Sequence, residues 1–181
     1  MLRTLAILLL LSSPAVAQKV EPIIDTVPIP AEDLVPDDVP GLEFFPAGDV
    51  TMNAAIAEAQ RTLPLFLSHV LDPIGVARGG SIKVSFQTFP TDQGDEIIWV
   101  TDFRRLPDGS FTGRLNNQPF HLGDWQRGDI VSFPASAIQD CSLPAPNGLF
   151  GNYTNRVIAA QPGNGHIFNS LATRVLPPEW E

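Results

Sequence analysis

Residues 96–103 read EIIWVTDF, an apolar run opened by Glu96 and carrying a second acid, Asp102, near its end. On an extended strand the side chains alternate between faces. Glu96, Ile98, Val100 and Asp102 then share one side, and Ile97, Trp99, Thr101 and Phe103 share the other. Both sides are apolar at the centre, as in a strand covered on two faces. The two acids stand six residues apart, roughly 20 Å along a strand. Carboxylates that cooperate in a glycosidase lie within roughly 5–10 Å of each other. The run therefore reads as a scaffold strand with polar ends rather than as a catalytic pair. Glu96 remains free to act with a neighbouring strand, whose lateral spacing is only about 5 Å.

Outward from this strand the pattern continues. Ile82, Val84 and Phe86 alternate with Lys83, Ser85 and Gln87, a half-buried strand. Asp108-Gly109 is a hairpin signal, and residues 111–115 return. Gly128-Asp129 opens a strand at 130–133, and residues 153–158, preceded by Gly151 and Asn152, read as the last strand. Upstream, Asp49 or Thr51 caps a helix. Met52, Ala55, Ile56, Ala59, Leu63, Phe66, Leu67 and Val70 follow helical spacing. Pro64 does not fit inside one straight helix. It predicts a first helix to about Arg61, a break, and a short second helix with Thr62 near its cap. The sum is an α+β domain over 49–160: a bent helix or helix pair packed on a curved antiparallel sheet of about five strands, curling toward a partial barrel. Residues 161–181 read as a loop-rich tail.

The chain opens MLRTLAILLLLSSPAVAQ. A basic residue, an apolar run at 5–11 and Ala15-Val16-Ala17 predict a signal peptide over 1–17. The run is far below the roughly 20 residues that span a bilayer. A periplasmic or secreted protein with no membrane span after cleavage is expected. Residues 18–48 hold Pro22, Pro28, Pro30, Pro36, Pro40 and Pro46 and seven acids, with no Lys or Arg between Lys19 and Arg61. That composition reads as an extended, self-repelling tether. The full chain carries −9, and loss of Arg3 makes it −10. Nucleic acid and anionic membrane surfaces are poor partners for such a chain. Cys141 is the one cysteine, so no internal disulfide and no cysteine-based metal cluster is expected.

Several short stretches together resemble the DUF2314 family of uncharacterised bacterial proteins, which includes the YegJ-type members. They are Met52-Asn53-Ala54-Ala55-Ile56 with Ala59, then Lys83-Val84, and Glu96 with Ile98-Trp99-Val100. Phe111-Thr112-Gly113, Asn117-Gln118-Pro119, Gly128-Asp129 with Val131, and Ile138-Gln139-Asp140 follow in register. Gly148 to Thr154 with Arg156-Val157 closes the match. Ile97 stands where the family pattern has His, and Cys141 where it has Trp. The resemblance implies a fold and no known activity.

His69, His121 and His166 show no metal-ligand spacing, and no metal or cofactor is expected. There is no G-x-S-x-G elbow and no phosphate loop. Cys141 reads as a structural cysteine rather than a nucleophile. The set that draws attention is Lys83, Glu96, Asp102, Asp140, Tyr153 and Arg156, polar residues on or beside strands, with Trp99 as an aromatic surface. The plain reading is an internal ion-pair or hydrogen-bond network, with Arg156 beside Asp140 or Glu96. The functional reading is a polar binding patch. The expectation is a non-catalytic binding or interaction module of the cell envelope, meeting an envelope protein or a small ligand. One alternative is an envelope hydrolase with Glu96 or Asp140 as general acid or base. Another is an inhibitor or immunity-type protein that binds a basic partner.

Overall fold

The computed structural model describes residues 18–19, 49–88, 94–164 and 169–180. The leader at 1–17, nearly all of the tether and His166 lie outside these residues. The elements are β1 (Gln18–Lys19), α1 (Val50–Val70), β2 (Ser81–Gln87), β3 (Asp95–Arg105), β4 (Phe111–Leu115), β5 (Ile130–Phe133), β6 (Ile138–Ala145), β7 (Gly148–Gly151) and α2 (Tyr153–Ala159). They form an antiparallel sheet in the order β1-β5-β4-β3-β2-β6-β7, in which β1 is a two-residue rung on β5. The domain proper is two helices on a six-stranded open sheet, the expected α+β class with one strand more than the sequence suggests. No helix among the described residues is long and apolar enough to cross a membrane.

The sheet must curl. β5 and β6 stand four strand spacings apart in the sheet order, about 19 Å if flat. Yet the link from Phe133 to Ile138 is five peptide steps, about 18 Å at full extension. A 3-10 turn at Ala135–Ala137 shortens it further. Only a sheet rolled over its inner face brings these ends together. The roll is filled with rings: Phe133 lies 6.1 Å from Phe86 and 6.2 Å from Phe111. Phe66 of α1 stacks on Phe103 of β3 at 6.4 Å.

α1 runs unbroken through Pro64, not as two helices. Asp49 caps it by accepting from the Met52 amide at 2.7 Å. Proline removes one helical N–H and crowds the carbonyl four residues back. That local cost is overcome because Ala59 and Thr62 before it, and Phe66, Leu67 and Val70 after it, are all buried. Both halves of the helix are held down by the same core.

β3 differs from its sequence reading in two ways. It is covered on one face, with Glu96, Ile98 and Val100 buried and Ile97 40 % exposed. A β-bulge then shifts the register between Thr101 and Arg104, with Asp102 at φ 48°. The bulge reverses the alternation, so Phe103 points into the core and Asp102 out to solvent. Gly113 lies opposite: a Cβ there would meet Val100 Cγ1 at 2.5 Å and Phe103 Cβ at 2.9 Å. Val100 and Phe103 are both inward only because of the bulge, so bulge and glycine require each other. Gly113→Ala is expected to lower the unfolding free energy by about 1–3 kcal/mol through overpacking. Urea denaturation reads this, and an unchanged midpoint removes the claimed steric link.

Candidate functional site

The sequence candidates separate into four places. The densest is built on β6 and β2. Asp140 is 1 % exposed and lies in register with Lys83. Its Oδ1 accepts from the amides of Cys141 at 2.7 Å and Tyr153 at 3.1 Å. Its Oδ2 accepts from the Thr154 amide at 2.8 Å and the Thr154 hydroxyl at 2.6 Å. This carboxylate caps the first turn of α2 from another element, because Asn152, the residue at the cap position, makes no side-chain cap bond. Asn152 instead sits in the left-handed region at φ 54° and donates to the Ser142 hydroxyl and the Phe150 carbonyl.

Residues 153–158, read from the sequence as a strand, are therefore helical. Tyr, Val and Ile favour strands, but a buried carboxylate aimed at the amides of Tyr153 and Thr154 offers them acceptors that a helix start needs.

Lys83 completes this cluster. Its Nζ donates to Thr154 Oγ1 at 3.0 Å and Asn155 Oδ1 at 2.8 Å, and lies 5.2 Å from the centre of the Trp99 ring. Burial pushes the ammonium down to about 8, and the charge of Asp140 works against that fall. Thr154 and Asn155, absent from the sequence candidates, connect Lys83 to α2 and, through Thr154, to the carboxylate. The signal available was the polar run Asn152 to Asn155, which has no place in a buried strand. Tyr153 points the other way, its hydroxyl 2.8 Å from that of Thr62 on α1. Cys141 is buried beside Asp140, and burial followed by that charge raises its thiol pKa. It is no thiolate nucleophile.

Glu96 belongs to a second place. It is 4 % exposed and accepts from the Phe120 amide at 2.8 Å and the His121 amide at 2.9 Å. Asn117 Oδ1 accepts from the Trp99 amide in the same loop. Asp102 stands alone on the bulge, its carboxylate 3.6 Å from Arg114 Nε. Arg156 is a staple: it donates to the carbonyls of Gly151, Leu149, Ala172 and Arg174. The expected pairing of Arg156 with Asp140 or Glu96 is thus replaced by four carbonyls. His69 stacks on Trp180 at 4.2 Å. Among the described residues no three His, Cys, Asp or Glu side chains gather as metal ligands. A groove of about 830 Å³ lies elsewhere, between α1, the turn at 71–76 and residues 104–107. Neither Glu96, Asp140 nor Lys83 lines it.

The family described as "Uncharacterized protein conserved in bacteria (DUF2314)" matches residues 49–166, and the chain belongs to it. No curated protein and no solved structure matches the chain.

Asp140→Ala is expected to cost about 3–5 kcal/mol, because it strands three amides and leaves Lys83 without its countercharge. Adding Lys83→Met should recover part of that loss in urea denaturation. Strict additivity of the two changes would refute the coupling. The lysine also sets a pH signature. Between about 8 and its ordinary 10.5 the unfolded chain holds a proton that the folded chain has released. In that window Lys83 makes stability rise with pH. Cys141 and Tyr153 act in reverse, since folding raises both and stability is lost as the unfolded chain ionises them. The stability of the wild type relative to Lys83→Met should grow between about pH 7 and about pH 10, as read from paired urea midpoints. A constant difference would count against the lowered amine.

Proposed function

We propose that this chain is an exported, non-catalytic binding module of the bacterial cell envelope, periplasmic or secreted. One observation carries the non-catalytic part: the carboxylates of Glu96 and Asp140 are each occupied by backbone amides and closed off from solvent. A general acid or base must come within hydrogen-bond reach of the proton it moves. Glu96 would have to release the loop at Phe120, and Asp140 the start of α2. The hydrolase alternative would need one of these contacts to open.

The inhibitor or immunity-type alternative draws on net charge alone. Of the described acids, Glu58 pairs with Arg61, Asp72 with Arg78 and Asp102 with Arg114, and Glu96 and Asp140 are internal, so these five offer a basic partner little. A binding role is instead supported by apolar side chains in solvent, with Ile74, Ile97 and Phe120 the largest on the domain past α1. Export is supported by the leader-like residues 1–17.

Expression of the full chain in a bacterium, followed by osmotic shock and N-terminal sequencing, should recover a chain that begins at Gln18. An intact chain in the cytoplasm refutes export. The purified mature chain, immobilised, should retain an envelope component and release it chemically unchanged. Release of cleaved product, lost on Glu96→Gln, would restore the hydrolase.

A further inference from the structure

We propose that Lys83 and Asn155 join in an isopeptide bond, formed by the folded chain on itself, with Asp140 taking the proton that the amine must lose. The bond ties β2 to α2 across 72 residues of sequence. No outside molecule enters and no second turnover follows. The inference therefore goes beyond the binding module without making it an enzyme.

Such a bond needs an amine, a carboxamide and a proton acceptor, and the three meet here. Lys83 Nζ lies 2.8 Å from Asn155 Oδ1. With a C=O bond of about 1.2 Å, Nζ is at most about 4 Å from Cγ, the atom it attacks. Near-attack contacts are about 3–3.5 Å, so the remaining approach is about 1 Å or less. The carboxamide is held the right way round. Its Nδ2, the leaving nitrogen, donates to Asn152 Oδ1 at 3.0 Å. Asn152 is fixed in turn, because its own Nδ2 donates to the Ser142 hydroxyl and the Phe150 carbonyl. Oδ1 of Asn155 is thereby left facing the lysine.

The proton has a path. Nζ donates to Thr154 Oγ1 at 3.0 Å, and that hydroxyl donates to Asp140 Oδ2 at 2.6 Å. Only the neutral amine is a nucleophile. Burial already lowers the ammonium to about 8, and the Trp99 ring flanks Nζ at 5.2 Å. In the step, the ammonium passes one proton through the Thr154 hydroxyl to Asp140. The lone pair of Nζ forms the bond to Cγ, the Cγ–Nδ2 bond breaks, and a second proton moves from Nζ to Nδ2. Ammonia leaves, and the proton on Asp140 follows it to solvent as ammonium. Nothing is oxidised or reduced, and no co-reactant is consumed. The pH signature of Lys83 described above belongs to the chain before this bond forms, since an amide nitrogen does not titrate.

Intact mass tests this on the purified chain, incubated folded at about pH 8, where about half of the amine is neutral, and then unfolded in acid. The wild type should be lighter than its sequence requires by one ammonia, about 17 Da. Trypsin should yield residues 79–104 joined to residues 128–156, uncut after Lys83. Lys83→Met and Asn155→Ala should keep full mass. An amino-terminal Gln18 can lose ammonia by cyclising, but that loss persists in both variants and maps to another peptide. Asp140→Asn, which keeps the shape of the side chain, should slow the bond about 100-fold or more. The linked chain should also unfold at higher urea than Asn155→Ala, because a closed loop restricts the unfolded chain. A wild type of full mass, with residues 79–83 and 128–156 recovered separately, overturns the proposal whatever the variants do. So does an ammonia loss that survives Lys83→Met. Bond formation at the wild-type rate in Asp140→Asn overturns the part given to the carboxylate.

Discussion

A single carboxylate organises the far edge of this domain. Asp140 has two oxygens and four donors, and those donors come from β6 itself and from the first turn of α2. A seven-residue helix has little stability of its own. Without an acceptor for its first amides, and without the Tyr153–Thr62 contact to α1, nothing local keeps it helical. The lysine across the ladder is held in turn by that helix, through Thr154 and Asn155. Buried charge is tolerated here because every polar atom in the group has a neighbour. That is also why the group is a poor candidate for chemistry on a molecule from outside.

The same logic of occupied groups governs the rest of the fold. Glu96 ties down a loop, Arg156 ties down the tail, and Asp72 ties down the turn after α1. Meanwhile the roll of the sheet, forced by the short link between β5 and β6, is filled by phenylalanines. With the buried polar groups occupied, recognition falls to the surface. The apolar side chains left in solvent, Ile74, Ile97 and Phe120, then say more about binding than the buried polar residues do.

The class of fold was legible because alternation and turn residues report burial directly. The strands at 81–87, 95–105, 111–115 and 130–133 each have a clean pattern or a clear turn beside them. What escaped depends on partners distant in sequence. β6 contains Pro144 and β7 is bounded by glycines, so neither looks like a strand until they are paired with each other. The α2 segment has strand-forming side chains and a helix start supplied by a residue thirteen positions before Tyr153. Pro64 signals a break that core packing overrides. At the candidate site, Glu96 and Asp102 are separated by more than the distance that the sequence shows. The bulge at Asp102 puts them on opposite faces, and no periodicity count reveals an inserted residue. The expected partner of Arg156 was an acid, since charge is visible in sequence and carbonyl geometry is not.

The stapling by Arg156 bears on where this unit of inheritance stops. The family match ends at residue 166, yet Arg156 reaches Ala172 and Arg174, Leu149 bridges to Leu171, and Trp180 rests on Phe66 and His69. The last dozen residues are thus a clasp fastened on a body shared with relatives. Trimming them would leave the Arg156 guanidinium without two of its four carbonyls and bare one side of the Phe66 ring.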